Sequence, residues 1–178
     1  FLIFIFSIFF LCSAILNPQI GTKEIEVNRE GIDIIITLDI SKSMLTEDIK
    51  PNRLERSKMS ISKLINKLKG DRIWIIVFAE KAFVQLPITT DYSAAKLYAN
   101  TISTDLITSQ GTSISSALEL AINSFTKKSK SNKIIIIISD GENHDTQAIE
   151  LAKNCNDKNI KIFTLGMGLK EGGLIPIK

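Results

Sequence analysis

Three observations predict an α/β fold with a doubly wound, mostly parallel central sheet and helices on both faces. Apolar β-branched runs recur along the chain, segments with helical spacing separate them, and hydroxyl- and carboxylate-bearing loops follow the runs at their carboxyl ends. Strands joined through helices pair in parallel, and a sheet covered on both faces is built from near-continuous apolar strands.

The elements follow in order. Residues 1–16 (FLIFIFSIFFLCSAIL) carry no charge, and five of the first ten residues are Phe. As a helix this run would reach roughly 24 Å, against a bilayer core of about 30 Å. It is predicted to be a transmembrane helix that the chain, starting at Phe1, enters part-way. The rival reading is the apolar region of a signal peptide, but no basic flank precedes it and no small-x-small cleavage site follows. Residues 17–30 are polar and read as a linker. Residues 31–178 read as one domain, cut at its C-terminal end, so the chain is expected to be a piece of a longer protein.

Within that domain, residues 32–38 (IDIIITL) form the first predicted strand. Residues 51–68 place Leu54, Ile61, Leu64, Ile65 and Leu68 at helical spacing, with Pro51 suited to the first turn and Gly70 as the stop. Residues 73–78 (IWIIVF) make a second buried strand. Residues 82–86 make a short strand that Pro87 ends, at an edge of the sheet. Residues 92–102 and 113–125 read as helices, the second with Ile114, Leu118, Ala121, Ile122 and Phe125 on one face. Residues 133–138 (KIIIII) form a third central strand, 146–154 a helix, and 160–165 (IKIFTL) a last strand.

Composition excludes several classes of function. At 178 residues, 44% hydrophobic and 23% charged, the chain is globular and long enough to bury a core without staples. Its 22 basic and 19 acidic residues are scattered, for a net charge of +3, so it lacks the basic footprint of a nucleic-acid binder. Cys12 and Cys155 make neither a disulfide framework nor a zinc site.

In open parallel sheets, ligands bind at the loops leaving the carboxyl ends of the strands. The first strand runs into Asp39-Ile40-Ser41-Lys42-Ser43. Asp39, Ser41 and Ser43 alternate along an extended turn, so their oxygens point one way. The strand 133–138 ends in Ser139-Asp140-Gly141, which brings a second carboxylate to the same edge. Between them, Gln110-Gly111-Thr112 opens a helix and adds a hydroxyl. Asp39, Ser41, Ser43, Thr112 and Asp140 are all hard oxygen ligands, a set that suits Mg²⁺, and also Mn²⁺ or Ca²⁺, and not zinc or copper. Two carboxylates only neutralise a divalent ion, so an open coordination position would attract a carboxylate from another molecule. Each fragment alone is an ordinary turn or cap. All three in this order, each at a strand exit or helix start, point to one metal centre.

The five positions resemble the metal-ion-dependent adhesion site of von Willebrand factor A domains. The resemblance implies that Ser41, Ser43 and Thr112 ligate the ion and that Asp39 and Asp140 act directly or through water. Met44, Arg53, Asp91, Gly111, Gly141 and Glu142 are the candidate partner-contacting positions around it. Asp91 is weighed against a plain helix N-terminal carboxylate, and Arg53, with Glu55 and Arg56, against a solvated helix face.

A narrower resemblance rests on Asp39-Ile-Ser-Lys-Ser-Met44, Pro51-Asn-Arg-Leu-Glu-Arg56, the stretch from Phe83 to Tyr92, and Gln110-Gly-Thr-Ser113. These are similar to the bacterial Bat proteins of the BatA and BatB types. That implies a membrane-anchored protein of aerotolerance or stress, working with other Bat-type proteins and a MoxR-type AAA+ ATPase. The expected partner donates an Asp or Glu carboxylate. A surface adhesin for host or matrix protein would use the same chemistry. A Mg²⁺-dependent phosphohydrolase also places an Asp after a first strand, but it needs an acidic residue two positions on, where Ser41 stands. The chain is therefore expected to bind rather than catalyse.

Overall fold

The computed structural model describes residues 2–15, 31–107, 109, 111–126, 131–141, 147–169 and 172–175. Helix α1 (Leu2–Ile15) comes first, and its described side chains are exposed. At 14 residues it spans about 21 Å. No described helix is long and apolar enough to cross a membrane. The expected linker, 17–30, lies outside the described residues.

Five strands make one sheet: β1 (Asp33–Asp39), β2 (Arg72–Phe78), β3 (Ala82–Thr89), β4 (Lys133–Ser139) and β5 (Ile160–Gly166). Their spatial order is β3-β2-β1-β4-β5. β1 pairs in parallel with β2 and β4, and β4 with β5, while β3 runs antiparallel at the edge. Burial on both faces explains the apolar runs. On one face Ile34, Ile36 and Leu38 of β1 and Ile73, Ile75 and Val77 of β2 pack under α2 (Arg53–Ile65) and α3 (Tyr92–Asn100). On the other, Ile35, Trp74, Ile76 and Phe78 pack under α4 (Ile114–Ser124) and α5 (Gln147–Asp157). The strand period of two sends alternate residues to opposite layers.

Several expectations need correction. β3 continues through Pro87 to Thr89, with register shifts opposite Ile73–Ile76. An edge strand has one unpaired side, so the missing N–H of Pro87 costs no ladder bond. Pro51 stands before α2 rather than in its first turn. The helix starts one residue after Asn52, whose side chain accepts from the Glu55 backbone N–H at 2.8 Å. Lys133 opens β4 as expected and lies over the Phe125 ring, 5.9 Å from its centre.

The shared directions of β1, β2 and β4 put three strand exits side by side. Asp39 is in register with Phe78, and Leu38 with Ile138. Any chemistry on these exits is therefore concentrated at one edge.

Candidate metal centre

Asp39 ends β1 fully buried. Ile40 continues the pairing, its backbone N–H donating to the Phe78 carbonyl at 2.8 Å, and its side chain enters the core. A 3-10 turn (Lys42–Leu45) follows, and Met44 also drops into the core. Ile40 and Met44 thus pin the loop from below and leave Asp39, Ser41 and Ser43 on its upper side. The hydroxyls of Ser41 and Ser43 are 3.0 Å apart. Their meeting is the work of the 3-10 turn, not of the extended alternation read from the sequence.

The Asp39 carboxylate is already held from two sides. Oδ1 accepts from the Ser41 backbone N–H at 2.9 Å, and Oδ2 from the Ser139 hydroxyl at 2.8 Å. Ser139 Oγ in turn accepts from the Gly141 backbone N–H at 3.1 Å. Gly141 has φ of 89°, a left-handed conformation that turns the chain sharply after Asp140. Ser139 was legible only as part of a turn, yet it ties the β4 exit to the β1 exit. Burial raises the Asp39 pKa, hydrogen bonds from Ser41 and Ser139 oppose the rise, and the nearby Asp140 charge adds to it. A buried carboxylate whose charge is this poorly solvated is better matched by a cation.

Thr112 reaches the same edge through its neighbours. The Ser113 backbone N–H donates to the Ala79 carbonyl at 2.8 Å, which seats the start of α4 against the β2 exit. Ser113 is the residue that caps α4, its Oγ accepting from Ser116. Thr112 is half-buried beside it and outside the cap. Gly111 is exposed and lies against Glu80.

Asp140 carries an interaction that the sequence does not announce. Its Oδ2 accepts from Arg53 Nη1 at 2.8 Å. Arg53 is only 8% exposed, so it belongs to the site's wall and not to a solvated helix face or an open partner surface. Two other partner-contact candidates also move. Met44 is fully buried, because its apolar side chain anchors the loop. Asp91 lies at the opposite, amino-terminal edge of the sheet: Thr89 pairs with Ile73 near the start of β2, and the Asp91 carboxylate caps α3 by accepting from Ser93 and Ala94. Gly141 is exposed beside Asp140. Glu142 lies outside the described residues.

Among the described residues, no three His, Cys, Asp or Glu side chains cluster to hold an ion. The donor chemistry here is different: carboxylates at Asp39 and Asp140, and hydroxyls at Ser41, Ser43 and Thr112. Hard oxygens with a net charge of −2 fit a hard divalent cation.

The von Willebrand factor type A domain family model matches residues 33–173, which contain all five of these positions. The chain belongs to this family. Its likeness to solved structures is narrower. BatB from Bacteroides thetaiotaomicron is 48% identical, with a TM-score of 0.81 over 83% of this chain and 72% of that one. An aerotolerance-related membrane protein from Bacteroides fragilis is 46% identical, with a TM-score of 0.80 over 83% and 73%. An uncharacterized protein of Borreliella burgdorferi is 31% identical over 165 residues, 89% of this chain and 47% of that protein. The chain spans about half the length of such curated relatives. A mussel byssus thread matrix protein with a zinc-occupied adhesion motif shares the fold, at 19% identity and a TM-score of 0.66. The Bat-like resemblance read from the motifs therefore holds across most of the domain.

Proposed function

We propose that this domain binds protein partners through a divalent cation held by Ser41, Ser43 and Thr112, with Asp39 and Asp140 acting directly or through water. The observation that carries the reading is the buried Asp39 carboxylate beside two converging hydroxyls 3.0 Å apart. When bound, the ion supplies an electrophilic point for an incoming Asp or Glu carboxylate. The chain's own residues do the rest. Ser41 N–H and Ser139 Oγ orient Asp39, and the buried Ile40 and Met44 keep the serine loop from reorganising. Mg²⁺ is the favoured ion, with Mn²⁺ or Ca²⁺ as substitutes. The byssus thread matrix protein carries zinc at its own motif.

The domain works tethered. The uncharged apolar segment 1–16 anchors it in a membrane, in keeping with the membrane proteins among its relatives. It serves a Bat-type stress or aerotolerance system, with other Bat-type proteins and a MoxR-type AAA+ ATPase as partners. Catalysis is disfavoured, since Ser41 stands where a general acid would be needed.

The test is affinity capture from solubilised membranes with Mg²⁺ and with EDTA, comparing wild type and Asp39→Ala. Capture that needs both Mg²⁺ and Asp39 supports the reading, and capture undiminished by EDTA refutes it. Recovery of the chain in carbonate-washed membranes checks the tether.

A further inference from the structure

Arg53 occupies an unfavourable place for a cation. It is the first residue of α2, where the helix dipole presents positive charge. Two carboxylates hold it there. Nε and Nη2 both donate to Asp48, at 2.9 Å each, and Nη1 donates to Asp140 at 2.8 Å. The side chains of Asp48 and Asp140 are almost completely buried by this arrangement. Asp48 Oδ2 also accepts from the Leu169 backbone N–H at 2.8 Å. Gly168 lies flat against the guanidinium, where a Cβ would come within 3.3 Å of Cζ. Four segments therefore converge on one guanidinium: the loop through Asp48, the start of α2, the exit of β4 and the chain leaving β5.

We propose that Arg53 is a positioning residue that competes with the metal ion for Asp140, and that Asp48 sets the strength of that competition. The inference rests on the metal-binding reading of Asp39, Ser41, Ser43, Thr112 and Asp140. A guanidinium within hydrogen-bond distance of a candidate ligand both draws that carboxylate toward itself and repels an incoming cation. Asp48 shares the guanidinium and so weakens its hold on Asp140. Leu169 binds the same Asp48 oxygen, which joins the segment leaving β5 to the same balance.

The competition predicts opposite effects from two neutralising substitutions. Arg53→Gln removes the competing charge and is expected to tighten Mg²⁺ binding about tenfold. Asp48→Asn leaves Arg53 with Asp140 as its carboxylate partner among the described residues and is expected to weaken Mg²⁺ binding several-fold. Arg53→Lys keeps the charge and is expected to stay close to wild type. A merely structural role for the pair would loosen the site in both Arg53→Gln and Asp48→Asn, and Arg53→Lys would share the defect.

The experiment is calorimetric titration of the full chain in detergent with MgCl₂ alone, with circular dichroism melts to confirm folding of each variant. Opposite shifts support the competition. Shifts in the same direction, or none, while wild type binds Mg²⁺, overturn it and leave the metal site standing. No Mg²⁺ binding by folded wild type overturns both.

Discussion

Asp39→Asn separates the charge of the site from its shape. Burial raises the Asp39 pKa, so at any pH above its unfolded value the charged carboxylate is a net cost to the metal-free fold. Asn is nearly the same size. Its oxygen can still accept from the Ser41 backbone N–H, and its amide can donate to Ser139 Oγ. The metal-free variant is therefore expected to melt at or above the wild-type temperature. Mg²⁺ reverses the order. A ligand at a hundredfold excess over Kd stabilises the folded state by about 2.7 kcal/mol. The matched domain, residues 33–173, is about 140 residues. Its unfolding entropy is then about 0.3 kcal/mol/K, so wild type gains roughly 9 °C. The variant, lacking the buried charge, is expected to shift by less than about 2 °C. Thermal melts in EDTA and in saturating MgCl₂ read both effects. An equal Mg²⁺ shift in the two proteins would refute the argument, as would a metal-free variant that melts far below wild type.

Two further outcomes follow from the same geometry. The hydrogen bonds from Arg53, with help from the Leu169 amide, hold the Asp48 pKa down to about 2, from an ordinary 3.8. A depressed carboxyl stabilises the fold above its unfolded pKa and loses that contribution as pH falls through the folded value. Urea midpoints measured from about pH 4 to about 2 should therefore drop more steeply in wild type than in Asp48→Asn, and parallel slopes would contradict the link. At the start of α4, Ser113→Ala should cost about 1 kcal/mol through the lost cap. Thr112→Ala should change stability by less than about 0.5 kcal/mol while weakening Mg²⁺ binding, and equal destabilisation by both would assign Thr112 to the cap instead.

Much of this molecule was legible before any coordinates. The strands at 32–38, 73–78 and 133–138 announce themselves because both faces are buried and every position except Asp33 and Lys133 is apolar or β-branched. Parallel pairing then follows from the helices between them, and the carboxyl-end rule locates the chemistry. Asp39, Ser41 and Ser43 were readable as a group because five residues of one loop need no long-range information to stay together. Thr112 and Asp140 stand out as candidates by their places before a helix and after a strand, and by family resemblance. The amphipathic faces of α2 and α4 were equally plain, since their apolar spacing is local.

What depended on tertiary structure was how side chains meet across the fold. Nothing local to Arg53 says that it will meet Asp140, 87 residues away, nor that Asp48 and Leu169 will share its load. Asp91 is a candidate beside the site by sequence, and β3's antiparallel return carries it to the far edge. Met44 looked available for a partner, and the 3-10 turn sent it inward. Periodicity and turn chemistry act over a few residues, so the chain itself determined its strands, its helices and the grouping of three of the five candidate ligands. Which charged groups face one another across loops depends on how those elements stack, and that is decided only when the sheet is assembled.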